Sequence, residues 1–104
     1  MKAKWFILCM FSLLVNITAN AYDAEIDGIY YNFSGTNATV TYATTSYNSY
    51  SGDISIPASV SYNNTRYSVT EIGYRAFYNC RNLTSVIIPN SVKTISHYAF
   101  DRCI

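Results

Sequence analysis

Apolar positions recur at a fixed spacing in the C-terminal third of the chain. The segment from Val69 to Cys80 returns as the segment from Val92 to Cys103, so matched positions are 23 residues apart. The valine, isoleucine, Ala-Phe and cysteine positions are kept, whereas the positions that change are polar or variable. Each turn of a stacked solenoid packs only against its neighbours, and a period in which the apolar positions hold is therefore typical of a solenoid.

One full unit divides into two short extended segments and a turn. The apolar spacing predicts a strand over 83–88, and Pro89 ends it because proline cannot donate to a central ladder. A second extended segment is predicted over 92–95. Residues 96–103 are then expected to form a tight turn or helical segment that buries the Ala-Phe pair.

A partial copy of the unit precedes the two clear ones. Residues 54–60 match residues 86–92 at an offset of 32, which exceeds the 23-residue period by nine. The excess falls at 61–68, where an Asn-Asn-Thr turn signal lies between alternating flanks. The sequence therefore predicts a β-hairpin inserted between two spine segments.

The region before the repeats has a different pattern. Two alternating runs, at 22–34 and 38–42, flank a Ser-Gly-Thr-Asn turn and predict a β-hairpin. Residues 43–52 are rich in Ser, Thr, Asn and Tyr and are expected to form an irregular polar loop.

The first 21 residues have the layout of a cleaved secretory signal peptide. Lys2 and Lys4 precede an uncharged apolar run over 5–15, and a small-residue Ala-Asn-Ala pattern ends at residue 21. Those eleven residues are fewer than the roughly 18 that a membrane-spanning helix needs. Export is therefore predicted, with a secreted or cell-surface location and no membrane span after cleavage.

Charge in the predicted mature chain is low. Removal of Lys2 and Lys4 leaves five of the seven Lys and Arg residues against six Asp and Glu, a net charge of about −1. Nucleic-acid-binding domains carry clustered basic residues. No nucleic-acid partner is therefore predicted.

Two cysteines remain in the mature chain, Cys80 and Cys103. Their stacking in successive turns places them within disulfide range, but their Cβ vectors are expected to run parallel. We predict two stacked free thiols, with a disulfide as the alternative. A zinc site needs more ligands than these cysteines and His97 provide.

No catalytic constellation is evident, so neither an enzyme nor a cofactor is predicted. The single histidine, His97, occupies a variable repeat position and is expected to face solvent. Asp23, Glu25 and Asp27 alternate along one segment. They could together bind Ca²⁺, but the solvated face of an edge strand, which discourages pairing, is the preferred interpretation.

Three motifs carry a resemblance to a known family. These are Ile-Gly-x-x-Ala-Phe-x-x-Cys at 72–80, Leu-Thr-Ser-Val-x-Ile-Pro-Asn-Ser-Val at 83–92 and Gly-Asp-Ile-x-Ile-Pro at 52–57. With the 23-residue period they resemble the BspA-type leucine-rich repeat. The resemblance implies a right-handed superhelix with parallel strands on one face, used for adhesion or protein binding and without catalytic residues. Ser96 replaces the glycine that the family pattern places there, which predicts a less regular second turn.

The expected fold is therefore mainly β, a leucine-rich-repeat solenoid of about two units preceded by an N-terminal hairpin cap. The predicted domains are a signal peptide (1–21), the cap and polar loop (22–52) and the repeats (53–104). The last repeat stops in mid-unit, so the chain is interpreted as a fragment of a longer array. Self-association through its uncapped C-terminal end is expected.

Two surfaces are candidates for ligand contact. Thr84, Ser85 and Ile87 are expected on the exposed face of the repeat strands. Tyr47 and Tyr50 lie in the polar loop, where tyrosine among small polar residues makes adaptable contacts. The alternative for the tyrosines is that they serve as β-formers and half-buried cover.

The leading functional hypothesis is an exported, non-catalytic repeat module that binds an extracellular protein of a host or neighbouring cell. The alternative is a cap or spacer segment of a larger secreted protein whose functional domain lies beyond residue 104. Glycosylation is a further feature that depends on the source organism. Four Asn-x-Ser/Thr sequons lie in the mature chain, at Asn32, Asn37, Asn63 and Asn82.

Overall fold

Strands and turns make up the whole of the computed structural model, which describes residues 22–103. The predicted signal peptide lies outside the described residues. Within 22–103 there is no helix that is long and apolar enough to cross a membrane. The eight strands of this region are β1 (Ala24–Ile26), β2 (Ile29–Ser34), β3 (Asn37–Thr41), β4 (Gly52–Ser55), β5 (Ser59–Tyr62), β6 (Thr65–Ile72), β7 (Leu83–Ile87) and β8 (Thr94–Ile95).

The strands form two sheets whose parallel pairings confirm the solenoid prediction. One sheet has the order β1-β2-β3-β6-β5, with β8 also paired to β6, and the other joins β4 to β7. In the β4–β7 pair Ile54 lies opposite Val86, which is the 32-residue offset seen in the sequence. In the β6–β8 pair Ile72 lies opposite Ile95, which is the 23-residue period.

The turn of each repeat has the same backbone conformation in both copies. Arg75 and Tyr98 have φ values of 56° and 59°, and Asn79 and Arg102 have 59° and 62°. The two residues of each pair differ in chemistry, so the turn preserves a left-handed backbone conformation rather than a residue type. The prediction that Ser96 makes the second turn less regular is therefore wrong.

Backbone hydrogen bonds join the two turns directly. The N–H of Phe77 donates to the carbonyl of Ala99 at 2.7 Å, and the N–H of Asn79 donates to the carbonyl of Asp101 at 2.9 Å. No helix forms here, since alternate N–H groups of the first turn donate to carbonyls of the second turn and not within their own turn. The segment after β8 is therefore a turn, which was one of the two predicted alternatives.

Both predicted hairpins form, and a third one was missed. β2 pairs with β3, and the inserted β5–β6 hairpin turns at Asn63 and Asn64, whose φ values are 50° and 65°. β1 pairs with β2 through Asp27 (φ 51°) and Gly28 (φ 84°). Asp-Gly and consecutive positive φ angles are typical of tight hairpin turns. The role of the front hairpins as a cap stays a prediction.

The phenylalanine rings of the two repeats stack at the centre of the solenoid. Phe77 is fully buried, and its ring lies 4.9 Å from that of Phe100 with an angle of 5° between the planes. Tyr50 also packs on Phe77, with a ring separation of 4.5 Å. Phe100 is only partly buried because no later turn covers it within residues 22–103. The predicted burial of the Ala-Phe pair in residues 96–103 therefore holds for Ala99 and only in part for Phe100.

Gly73 lies where the repeat packs closely against the front hairpin. Its N–H donates to the carbonyl of Val40 at 2.8 Å. A Cβ atom at this position would lie 2.9 Å from that carbonyl oxygen and 2.9 Å from Cγ2 of Thr39. In the next repeat Ser96 has room for a side chain, and its hydroxyl donates to Glu71 at 2.6 Å.

Cys80 and Cys103 are both free thiols in the structure, as predicted. Cys80 is fully buried, and this burial raises the pKa of its thiol above the usual value. Cys103 is less buried and donates from Sγ to the carbonyl of Phe77 at 2.7 Å. The two cysteines therefore differ in exposure although they hold equivalent repeat positions.

Truncation of Phe77 is expected to be among the most destabilising single changes. Phe77→Ala should lower the free energy of unfolding by about 3–5 kcal/mol, because it removes a buried ring and leaves a cavity between the repeats. Phe100→Ala is the matched control and should cost less, since this ring is already partly exposed. Urea unfolding measures both values, and equal losses would contradict the described packing.

Gly73→Ala should also destabilise the fold, because the new methyl group meets the Val40 carbonyl, which cannot move without loss of its hydrogen bond. The expected loss is on the order of 1–3 kcal/mol. Ser96→Ala at the equivalent position should cost about 1 kcal/mol through one lost hydrogen bond. Thermal and urea unfolding of the two variants test this, and a neutral Gly73→Ala would show that the contact is looser than described.

Alkylation should distinguish the two thiols. In the folded chain Cys80 should react with iodoacetamide more slowly than Cys103, since it is buried and its raised pKa lowers the thiolate fraction. In urea both should react at similar rates. Peptide mapping by mass spectrometry gives each rate. An intact mass lower by two hydrogen atoms under non-reducing conditions would instead show a disulfide.

Candidate binding surfaces

The strand face is the surface formed by the outward-pointing residues of β4 and β7. Ile54 and Val86 are directly paired and pack against the core, so the residues on either side of them point outwards. Thr84, Ser85 and Ile87 are all exposed, and Ile87 keeps 64% of its surface accessible. The structure thus brings these three predicted residues together on one strand.

Asp53 on β4 organises the polar part of the strand face. Its Oδ1 accepts hydrogen bonds from the hydroxyls of Thr84 at 2.6 Å and Ser85 at 2.7 Å. These two bonds lower the pKa of Asp53, so the carboxylate is ionised at neutral pH. Asp53 was not singled out by the sequence analysis, although the 32-residue offset places it opposite Ser85. The strand face therefore combines a fixed anion with the exposed Ile87.

Tyr50 is not a surface residue, which corrects its assignment as a ligand-contacting candidate. Only 3% of its surface is exposed. Its hydroxyl donates to the carbonyl of Thr41 and accepts from the N–H of Tyr30 at 3.0 Å. Burial raises the pKa of Tyr50 well above the usual value. The hydroxyl has two partners inside the protein, and Tyr50 therefore anchors the polar loop to the core.

Tyr47, the other predicted loop tyrosine, belongs to a group of aromatic side chains around one arginine. We name this group the Tyr–Arg cluster. The polar loop contributes Tyr47, Tyr42 lies between β3 and this loop, and the turns of the two repeats contribute the remaining members. Its residues are Tyr42, Tyr47, Tyr74, Arg75, Tyr78 and Tyr98.

The guanidinium of Arg75 lies close to four tyrosine rings. Its central carbon is 4.6 Å from the ring centroid of Tyr78, 5.1 Å from Tyr74, 5.3 Å from Tyr47 and 5.6 Å from Tyr98. All four distances are within the range of cation–π attraction. One guanidinium nitrogen also donates to the hydroxyl of Tyr47 at 3.3 Å. This hydrogen bond raises the pKa of Arg75 above its usual value.

The tyrosine rings contact one another mainly edge to face. Tyr47 lies 4.8 Å from Tyr42 and 5.0 Å from Tyr78, with interplanar angles of 66° and 74°. Tyr74 and Tyr98 are 5.9 Å apart at 74°. Aromatic pairs favour this geometry because the positive edge of one ring meets the negative face of the next. The cluster therefore has a defined arrangement, and sequence analysis recognised only Tyr47 as a candidate within it.

The remaining titratable groups of the described region, 22–103, form no such cluster. Asp23, Glu25 and Asp27 are exposed at the β1 edge of the sheet, and Asp23 accepts the N–H of Phe33 at 2.9 Å. His97 is exposed, in the position predicted for it. Within residues 22–103 no three His, Cys, Asp or Glu side chains are grouped closely enough to hold a metal ion.

Solved structures with the same repeat resemble this chain. A leucine-rich repeat protein from Bacteroides ovatus is 37% identical with a TM-score of 0.69, over 79% of this chain and 21% of that one. A leucine rich cell surface protein from Faecalibacterium prausnitzii is 33% identical (TM-score 0.63), over 77% of this chain and 21% of that one. A leucine-rich repeat protein from Bacteroides capillosus is 30% identical (TM-score 0.63), over 77% of this chain and 58% of that one.

The chain thus spans about a fifth of the first two proteins and over half of the third. No curated protein matches it. Residues 46–104 match the family model described as BspA type leucine rich repeat region (6 copies). That stretch is more than half of the sequence, and it contains the two repeats whose stacking is described above. The chain belongs to the BspA-type leucine-rich repeat family.

Proposed function

We propose that this chain is an exported, non-catalytic repeat module that binds an extracellular protein through its strand face. The observation that carries the proposal is Ile87, which keeps 64% of its surface exposed and lies two residues after Ser85, the partner of the Asp53 carboxylate. Protein interfaces have an apolar core surrounded by a polar rim, and an exposed apolar side chain with polar neighbours on the same face fits this pattern.

Two further observations support a role outside the cell. The N-terminal sequence has the layout of a secretory signal. One structural neighbour is described as a cell surface protein. A secreted or surface location and an adhesive role are part of the same proposal, since a non-catalytic binding module acts where its protein partner is found.

A binding measurement on the strand face tests the proposal. The full chain would be screened against an array of purified extracellular proteins, and each hit measured with Ile87→Asp. Loss of a central apolar anchor is expected to weaken binding by about tenfold or more. The control is Ile95→Asp, because Ile95 is 52% exposed but does not belong to the strand face.

Equal losses for the two variants would contradict a role for the strand face. The cap or spacer alternative makes a different prediction for the same screen. In that case this chain binds no array protein, and binding appears only when the sequence downstream of residue 104 is included. The two hypotheses are thereby separated by one experiment.

A further inference from the structure

We propose that the Tyr–Arg cluster is a second protein-contact surface, which takes an acidic segment of a partner protein by placing a carboxylate on Arg75. The inference rests on the proposed function only in that the partner is a protein. It uses different residues, because the cluster is formed by the polar loop and the repeat turns, whereas the strand face is formed by β4 and β7.

Arg75 is a cation that has no anionic partner among residues 22–103. Within residues 22–103 its hydrogen bond goes to the neutral hydroxyl of Tyr47, and no carboxylate forms an ion pair with it. Its Nε has no hydrogen-bond acceptor among these residues but is buried, so a ligand carboxylate would have to meet the terminal guanidinium nitrogens. Glu71, four residues before Arg75 in the sequence, accepts a hydrogen bond from the hydroxyl of Ser96 rather than from Arg75. A guanidinium binds carboxylates in a planar, often bidentate geometry, so a carboxylate is the ligand group that this site lacks.

The two outermost rings of the cluster are available to a partner. Tyr74 is 49% exposed and Tyr98 is 54% exposed, and both lie against the Arg75 guanidinium. Exposed tyrosine and arginine side chains dominate the binding energy of many protein interfaces. Tyrosine gives a large contact area at a low cost in side-chain entropy. The surface around the charge is therefore suited to the side chains that flank an acidic residue.

The cluster is also held in place before any partner arrives. The N–H of Asn48 donates to the carbonyl of Tyr78 at 3.0 Å, which joins the loop to the repeat turn. The N–H of Ala43 donates to the hydroxyl of Ser49 at 2.8 Å within the loop. Side chains that are ordered in the free protein lose less entropy on binding. A partner would therefore meet a preformed site.

An acidic polypeptide of known composition tests the proposal. The full chain would be measured by biolayer interferometry against immobilised poly(Glu,Tyr) copolymer, which offers carboxylates with aromatic neighbours. Arg75→Gln should weaken binding by about tenfold, and so should the double change Tyr74→Ser, Tyr98→Ser. The matched controls are Arg66→Gln and Tyr62→Ser, which change an exposed arginine and an exposed tyrosine outside the cluster.

A structural role for Arg75 is separated from binding by two measurements. Thermal unfolding shows whether each variant is folded, and the double tyrosine change should leave stability nearly unaltered because both rings are exposed. Arg75→Lys keeps the charge but loses the planar donor pair, and should bind more weakly than the unaltered chain. Equal binding by Arg75→Lys and the unaltered chain would overturn the assignment of a guanidinium site.

Other outcomes also overturn the proposal. Equal losses of copolymer affinity for Arg75→Gln and Arg66→Gln would show that the polyanion is attracted by positive charge in general and not by this site. Binding of polygalacturonate with the same dependence on Arg75 and at least equal affinity would identify an acidic glycan as the occupant instead. Ile87→Asp should leave copolymer binding unchanged, so failure of the strand face and failure of the Tyr–Arg cluster are distinguishable.

Discussion

The fold depends on the direct stacking of one repeat turn on the next. Phe77 and Phe100 lie face to face, and backbone N–H groups of the first turn donate to carbonyls of the second. A ring stack and a backbone ladder can both be satisfied only if the two turns have the same shape. The left-handed φ angles at Arg75 and Tyr98 are one consequence of this requirement. Backbone congruence between repeats is therefore the primary constraint, and side-chain identity at the outer positions is secondary.

This constraint explains why the binding surfaces lie where they do. The inward positions are fixed by packing, but the outward positions of a turn need only tolerate its backbone. Arg75 and Tyr98 hold the same repeat position, so their side chains lie one above the other, with the guanidinium 5.6 Å from the ring. The strand face follows the same rule, because Asp53 and Ser85 are repeat equivalents that meet in register. Because the repeats stack, residues at equivalent repeat positions become neighbours on the surface.

Most of the fold could be predicted because its signals are periodic. The offsets of 23 and 32 residues are the observed strand registers, and the Asn-Asn turn of the inserted hairpin lies where the excess residues fall. Tyr50 was wrongly placed on the surface because the loop has no period from which a buried position can be inferred. The Tyr–Arg cluster was missed for the same reason, since Tyr47 reaches Arg75 across 28 residues of sequence.

The polar loop links the interior of the solenoid to its surface. Tyr50 fixes the loop from inside, where its hydroxyl bonds Thr41 and Tyr30 and its ring lies on Phe77. Tyr47 fixes the same loop from outside through Arg75. A ten-residue irregular segment loses much conformational entropy when it becomes ordered. Core packing of Tyr50 and the cation–π contact of Tyr47 with Arg75 both offset this loss. The order of the outer site therefore depends on the same Phe77 ring that joins the repeats.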